Sequence, residues 1–210
     1  SSAAVAVGTA RSVAERAFKL PENVPNGVLT PERARTLVPA MKAVSAGRPF
    51  YVHSHCTSGL GPATNMEAIR VGADVVWTAS RALANNCSLP ATSSMLRNLK
   101  HAGYDIDLDA DLIQKIEDHF FAVAKRHGKP IGVPLEYDPQ LYEHQMPGGM
   151  LSNFKAQLAS VGLQDRLQEV FDEIPAVRED LGWPIIVTPF AQFVATQATM
   201  NVLQGERYAV

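Results

Sequence analysis

The segment Tyr51–Leu60, with the sequence YVHSHCTSGL, decides how the rest of this chain is interpreted. It predicts a strand over Pro49–His55 that ends at a sharp turn into a helix. His53 and His55 are two residues apart, so both imidazoles point to the same face of such a strand. Together they are candidate ligands of a divalent metal ion. The alternative is a pair of packed or hydrogen-bonded histidines on an inward face.

The elements around this segment follow the order of a sheet or barrel built from βα repeats. In such barrels the chemistry lies at the C-terminal ends of the strands, where both histidines fall. The predicted elements are a helix over Ala10–Lys19, a helix that begins at Thr30 and Pro31 and stops near Gly47, the strand Pro49–His55, a helix over Pro62–Val71 capped by Thr57 or Ser58, and a buried strand over Asp74–Ala79.

The second half of the chain changes character and is predicted to be mostly helical. Its predicted elements are a helix capped by Asp109 and closed by Gly128, an extended segment over Lys129–Gln145, helices over Leu151–Val161, Gln164–Ile174 and Pro175–Leu181, a strand or extended connector over 183–189, and a helix over Ala191–Leu203 ended by Gly205.

Composition excludes several classes of function. The 210 residues are 46% hydrophobic and 19% charged, which predicts a sizeable buried core. With a formal net charge of −2 and no long basic run, the chain has no signature of nucleic-acid or membrane-surface binding. No apolar stretch reaches the roughly 20 residues that span a bilayer. Two cysteines, Cys56 and Cys87, make no disulfide framework, so a reducing, cytoplasmic setting is expected.

Five motifs in order resemble those of a known family. They are YVHSHCTSG (51–59), VGADVVWTAS (71–80), HQMPGGMLSNFKAQL (144–158), EIPAVREDLGWP (173–184) and VTPFAQFVATQATMNVLQGERY (187–208). They are similar to the C-terminal half of the biotin-dependent carboxyltransferase domain of pyruvate carboxylase, the oxaloacetate decarboxylase α subunit and the transcarboxylase keto-acid subunit.

The resemblance implies an α/β fold in which a partial TIM barrel of C-terminal βα units, over residues 1–105, precedes a mostly helical funnel-type extension over residues 106–210. It implies a divalent metal ion (Zn, Mn or Co) in the barrel mouth and biotin as carboxyl carrier on a partner domain. The implied reaction moves a carboxyl group between carboxybiotin and a 2-oxo acid or acyl substrate, through an enolate that the metal stabilises as a Lewis acid.

Carried over to this sequence, the family pattern places the two histidine ligands at His53 and His55. At other positions this sequence departs from the family. Asn23 stands where the family has a carbamylated lysine ligand, and no lysine lies between Leu20 and Met41. Cys87 stands at the position of a threonine that shuttles a proton in the family. Its thiol is therefore a candidate proton carrier. The simpler alternative is a loop cysteine with no role in the reaction.

Other departures lie in the loop after the second strand. Trp77 stands where an aspartate is usual, and residues 81–84 replace a serine- and methionine-rich turn. Asp74 and Glu67 are expected at the far end of the sheet or on a helix surface rather than at the metal, and Cys56 is expected to be structural.

Three functions remain open from the sequence. The first is a carboxyltransferase subunit or fragment whose active site a second polypeptide completes by supplying the remaining barrel strands, with a biotin carrier domain and an oligomeric assembly as further partners. The second is a non-catalytic scaffold or assembly subunit of a carboxylase complex. The third is a biotin-independent decarboxylase or other enolate-forming enzyme.

Overall fold

A computed structural model describes residues 27–139, 141–146, 148, 154, 156, 158–160, 162, 164–184, 186 and 189–209. The two strands are β1 (Tyr51–Val52) and β2 (Val75–Val76). The α-helices are α1 (Pro31–Ala43), α2 (Gly61–Arg70), α3 (Thr92–His101), α4 (Ala110–Arg126), α5 (Leu141–His144), α6 (Leu167–Asp180) and α7 (Phe190–Gln204). Short 3₁₀ turns cover Arg81–Leu83 and Gln164–Arg166.

The strands β1 and β2 pair in parallel, with Tyr51 opposite Val75 and Val52 opposite Val76. Because α2 connects them, the three elements form one βαβ unit. An isolated parallel bridge between Ala79 and Ala91 continues the pattern towards α3. The predicted strands Pro49–His55 and Asp74–Ala79 therefore exist at their centres, but the regular pairing covers only two residues of each.

The N-terminal end of α1 follows the predicted chemistry. The hydroxyl oxygen of Thr30 accepts a hydrogen bond from the backbone N–H of Arg33 at 3.2 Å, and Pro31 occupies the first helical position. The helix ends at Ala43, earlier than the predicted stop at Gly47.

The predicted cap of α2 is wrong. This helix begins after Leu60, which makes no capping hydrogen bond through its side chain, and not at Thr57 or Ser58. The Ser58 hydroxyl instead donates to the carbonyl oxygen of Gly27 at 2.7 Å. Ser58 thus joins the turn after β1 to the segment that precedes α1.

In the second half, Asp109 caps α4 as predicted, accepting from the N–H groups of Asp111 and Leu112. Gly205 ends α7 in the left-handed conformation, with φ 70°. The predicted break between two helices at Pro175 is wrong, because α6 continues through this proline. Packing explains the difference: α6 lies along α7 and buries Val170, Ile174 and Val177 completely, which outweighs the hydrogen bond that the proline removes.

The helix α3 was not predicted from the sequence. In the predicted extended segment over Lys129–Gln145, residues 129–139 have no regular structure where the structure describes them, and the short helix α5 covers Leu141–His144. The predicted helix Ala10–Lys19 and Asn23 lie outside the described residues. So do parts of Leu151–Val161 and 183–189; residues 154, 156 and 158–160 are helical where described.

In the described part of the chain, much of the buried apolar core lies in two separate clusters. The first joins α1, α2 and the strands: Leu29, Ala34, Val38, Val52, Ala68 and Ala73. The second joins α6 and α7 to the region before them: Met146, Phe154, Leu158, Val170, Ile174, Val177, Ile186, Ala191, Val194, Ala195 and Ala198. In the described part of the chain, no helix has the length and apolar character to cross a membrane.

Candidate metal centre at His53 and His55

His53 and His55 lie directly after β1 and face each other. Their Nε2 atoms are 2.9 Å apart, and their ring centroids are 5.0 Å apart. Both side chains are partly buried, and the indole ring of Trp77 packs against His53 with 5.5 Å between centroids. The structure therefore brings together the two residues that their spacing predicted to share a face.

A hydrogen bond to the backbone fixes which ring nitrogen of His55 carries a proton. The Nδ1 atom lies 2.7 Å from the carbonyl oxygen of Cys87, and a carbonyl only accepts, so Nδ1–H is the donor. In the neutral ring, Nε2 then holds a lone pair. The Nε2–H of His53 donates to that lone pair, which leaves the Nδ1 atom of His53 buried with no partner in the described residues.

The surroundings of both imidazoles favour their neutral form. Burial lowers the pKa of His53 below its ordinary value, and the neighbouring His55 lowers it further. Burial also lowers the pKa of His55, although the hydrogen bond to Cys87 acts in the opposite direction. Because a metal ion binds the neutral imidazole, these shifts favour the form that coordinates.

The loop that holds the Cys87 carbonyl in place is closed by its own backbone. We call residues Asn85–Leu89 the Cys87 loop. Asn85 N–H donates to Leu89 O at 2.7 Å, and Ser88 N–H donates to Asn85 O at 2.8 Å. Asn85 and Asn86 adopt left-handed conformations with φ 68° and 51°. A further hydrogen bond, from Cys56 N–H to Ser88 O at 2.8 Å, joins this loop to the residue after His55.

The two cysteines occupy different environments. Cys56 is buried, and burial raises the pKa of its thiol to about 12, which agrees with a structural role. Cys87 is half-buried, and its backbone carbonyl, rather than its thiol, contacts His55. Both thiols are free.

The acidic residues near the strands are engaged elsewhere, as expected. Glu67 accepts hydrogen bonds from Arg35 and Arg70, and these hold the pKa of its carboxyl at about 2. Asp74 binds Lys42 Nζ at 2.9 Å and the N–H of Phe50 at 2.7 Å. In the part of the chain that the structure describes, no third histidine, cysteine or carboxylate joins the histidine pair.

The histidine pair fits two positions of a metal centre. Two imidazole nitrogens about 2.1 Å from one tetrahedral ion are separated by about 3.4 Å. The observed 2.9 Å between the Nε2 atoms is the distance of the hydrogen bond between the two rings, about 0.5 Å shorter, so a small separation of the rings would let both nitrogens reach one ion. His55 already has the outer hydrogen bond that metal-bound histidines usually make, to the carbonyl of Cys87. His53 Nδ1 has no hydrogen-bond partner among the described residues, so a complete metal centre would need groups from outside them.

Sequence reasoning missed the carbonyl of Cys87 and the backbone of Gly148 as parts of this site. An added Cβ at Gly148 would lie 2.6 Å from Cys87 Cβ and 3.0 Å from the Thr57 hydroxyl oxygen. The only signal in the sequence is the run Pro-Gly-Gly at 147–149, because glycine lets another backbone segment approach closely. Gly148 in fact lies between the loops that follow β1 and β2.

Comparisons with known proteins agree with these observations. Residues 141–209 match the conserved carboxylase domain model. A pyruvate carboxylase subunit of Methanocaldococcus jannaschii is 44% identical over 186 residues, which are 88% of this chain and 32% of that protein. The methylmalonyl-CoA carboxyltransferase 5S subunit of Propionibacterium freudenreichii subsp. shermanii is 37% identical over 85% of this chain and 35% of its own length.

A solved structure gives the same result. The carboxyl transferase domain of Rhizobium etli pyruvate carboxylase, determined with pyruvate and biocytin, superimposes with a TM-score of 0.79 at 31% identity, over 89% of this chain and 31% of that one. The chain spans about a third of the length of the subunits that it matches, and less of the longer pyruvate carboxylases. The resemblance seen in the sequence is confirmed: this chain belongs to the biotin-dependent carboxyltransferase family of pyruvate carboxylase and its relatives.

Proposed function

We propose that this chain is part of a biotin-dependent carboxyltransferase that moves a carboxyl group between carboxybiotin and a 2-oxo acid or acyl substrate. The observation that carries the proposal is the facing pair His53 and His55, in a chain 44% identical to a pyruvate carboxylase subunit. The names of the relatives support carboxyl transfer as the general role, and the biocytin in the Rhizobium etli structure supports biotin as carrier.

In this proposal, His53 and His55 hold a divalent ion (Zn, Mn or Co) through their Nε2 atoms. Such an ion would act as a Lewis acid that polarises the oxo group and stabilises the enolate. The role of His55 is to present a lone pair in a fixed direction, since the Cys87 carbonyl sets its tautomer. Trp77 covers one side of His53 and limits its contact with water. A role for the Cys87 thiol as proton carrier stays a prediction.

The remaining ligands and barrel strands would come from another segment or a partner chain. Two residues of β1 and two of β2 cannot close a barrel, which usually needs about 250 residues. Several large apolar side chains of α4 and the segment after it are exposed: Leu112, Ile116, Ile131, Val133, Leu135 and Tyr137. Exposed apolar surface of this extent suits contact with further parts of a larger assembly, in which residues 1–105 belong to the barrel and 106–210 to the funnel-type extension.

A biotin carrier domain and an oligomeric assembly belong to the same proposal. Two of the relatives are named as subunits of pyruvate carboxylase, which supports a complex of several chains. A cytoplasmic setting, expected from the two unpaired cysteines, stays a prediction.

A second candidate is a non-catalytic scaffold of a carboxylase complex. It is favoured by Asn23, which stands where the family has its lysine ligand and cannot form a carbamate. The third alternative, a biotin-independent decarboxylase, shares the enolate step and the histidine pair but needs no carrier domain.

The test uses the intact protein, purified with any chain that accompanies it. We expect Co²⁺ to bind with a characteristic visible absorption and oxaloacetate to carboxylate free biotin. His55→Ala should abolish both, whereas His101→Ala, at the exposed end of α3, should change neither. Decarboxylation that does not depend on biotin would favour the third alternative. Absence of both Co²⁺ binding and activity from the native complex would favour the scaffold.

A further inference from the structure

We propose that Gly148 is a positioning residue for the metal centre: its lack of a side chain lets the Cys87 loop approach His55 closely enough for the Cys87 carbonyl to hold the Nδ1 proton. This inference rests on the proposed function, since it concerns how the chain prepares His55 as a ligand. It assigns a role to the backbone of two residues, and it makes the thiol of Cys87 dispensable for metal binding.

The first step is that His55 depends on one backbone group. The 2.7 Å contact from Nδ1 to the Cys87 carbonyl is the only hydrogen bond to that nitrogen among the described residues. Without it, Nδ1–H would lose its acceptor, and the neutral ring would be free to carry its proton on Nε2 instead. A proton on Nε2 blocks the lone pair that faces His53.

The second step is that the Cys87 loop has little freedom of its own. It is closed by two internal hydrogen bonds and contains two non-glycine residues in left-handed conformations, Asn85 and Asn86. Asparagine adopts this conformation readily, so the hydrogen bonds rather than strain hold the loop. Because these hydrogen bonds restrict the chain on both sides of Cys87, a displacement of Cys87 also moves its carbonyl group.

The third step is that Gly148 limits where the loop can lie. A Cβ at position 148 would be 2.6 Å from Cys87 Cβ, 3.0 Å from Cys87 Cα and 3.0 Å from Thr57 Oγ1. The Cys87 atoms are the β-carbon and backbone of a loop, not the end of a flexible side chain, so the loop itself must move. Any side chain at 148 thus pushes the Cys87 carbonyl relative to His55.

The experiment measures Co²⁺ affinity, by competition with a chelator, in the intact protein and in four variants. Gly148→Ala should weaken Co²⁺ binding by roughly 10- to 100-fold, the usual effect of losing an outer hydrogen bond to a metal-bound histidine. Cys87→Ala, which keeps the carbonyl and removes the thiol, should bind as the wild type does. Val194→Ala, a core change in α7, controls for a general loss of thermal stability and should also bind normally.

Compensation is the sharper measurement. In the fourth variant, which combines Gly148→Ala with Cys87→Gly, the nearest clash is gone because the β-carbon of residue 87 is absent. Part of the lost Co²⁺ affinity should return relative to Gly148→Ala alone. A role confined to packing would restore the melting temperature without restoring the affinity, and that result would overturn the inference.

A measurement on the unchanged protein avoids variants that fail to fold. ¹⁵N shifts of the histidine rings in the metal-stripped protein should show His55 protonated at Nδ1. Protonation at Nε2, or Co²⁺ affinity unaffected by Gly148→Ala, would refute the positioning role while leaving the proposed function intact. If Cys87→Ala loses as much affinity as Gly148→Ala, the thiol is the ligand and the inference is wrong. If neither the wild type nor His55→Ala binds Co²⁺, both proposals fall.

Discussion

The guanidinium carbon of Arg178 lies 5.3 Å from the centroid of the Trp183 ring, and the N–H of Trp183 donates to the carbonyl of Arg178 at 2.7 Å. Only 3% of Arg178 is exposed, and its Nε has no hydrogen-bond partner among the described residues. Within that same part of the chain no carboxylate forms an ion pair with it. Burial lowers the pKa of this arginine, so keeping its charge in the helical core costs free energy.

Replacing this charge should not weaken the fold. Arg178→Met keeps much of the length of the side chain and removes the cost of burying an unpaired cation, at the loss of a desolvated cation–π contact of about 2 kcal/mol. We expect the free energy of unfolding, measured by urea denaturation of the intact protein, to stay the same or rise. The control is Arg97→Met on the exposed face of α3, which should have little effect.

A loss of stability larger than about 2 kcal/mol in Arg178→Met would contradict this expectation, since it exceeds the contribution of the cation–π contact. It would mean that a carboxylate outside the described residues pairs with the guanidinium, in the same chain or in a partner.

His144 predicts a dependence of stability on pH. Its Nδ1 accepts from Met146 N–H at 3.0 Å, and its ring stacks on Phe171 with 4.8 Å between centroids. Burial lowers the pKa of His144, although Asp138 opposes this. The unfolded chain therefore takes up a proton at a higher pH than the folded chain, so the stabilising difference is complete above the ordinary pKa of about 6.5 and is lost as the pH falls below it.

His144→Asn should reduce this dependence, because the amide oxygen accepts from the same N–H but does not titrate. The measurement is the free energy of unfolding at about pH 7.5 and about pH 5.5, on either side of the ordinary histidine pKa. The wild type should lose more stability between the two values than the variant. An equal loss in both would show that His144 is not the group responsible.

The parts of this fold that the sequence predicted are those set by neighbouring residues. Thr30 and Asp109 cap their helices through hydrogen bonds to N–H groups two or three residues away, so a short window of sequence is sufficient. Pro175 does not end α6, because the packing of α6 against α7 stabilises the helix on both sides of the proline. The contacts that do so come from residues distant along the sequence. The start of α3 has no side-chain cap at Ala91, so no local signal marked it.

In the candidate site, too, the sequence predicted what neighbouring residues determine and missed what distant residues determine. The spacing of His53 and His55 predicted that they face each other, because strand geometry alone places alternate side chains together. The outer hydrogen-bond partner of His55 is a backbone carbonyl 32 residues further along the chain, and every residue type carries such a carbonyl, so the sequence does not mark it. The close approach of Gly148 to Cys87 likewise depends on how two distant segments pack. Sequence could thus indicate the ligands but not what orients them.

The cap of α1 offers a quantitative test of local structure. Thr30→Ala removes the acceptor for the N–H of Arg33 and should cost about 1 kcal/mol of stability. Thr30→Ser keeps the hydroxyl and should restore most of it. Thr36→Ala, in the middle of the same helix, removes a hydroxyl that only donates to the carbonyl of Arg33, so little change is expected. Urea denaturation of the three variants checks the order; an equal loss in Thr30→Ala and Thr36→Ala would contradict the capping role.

The backbone at Gly132 packs so closely against the 3₁₀ turn Arg81–Leu83 and the adjoining Ala84 that a side chain at position 132 does not fit. An added Cβ would lie 1.7 Å from the carbonyl oxygen of Ala84, and the N–H of Gly132 donates to Ala82 O at 3.2 Å. Both contacts are with backbone, so Gly132→Ala must separate the extended segment from the turn. We expect a loss of roughly 1–3 kcal/mol or more, as for other overpacked sites, measured by urea denaturation.

The matched control for this change is Gly128→Ala. Position 128 has nothing within 4 Å of an added Cβ, but its φ of 58° disfavours a side chain, so this variant reports the cost of the backbone conformation alone. Gly132→Ala should be the more damaging of the two, because its cost comes from a collision that only movement of the segment can relieve. If Gly128→Ala lost as much stability, the close approach to Ala84 would not be the reason that position 132 requires glycine.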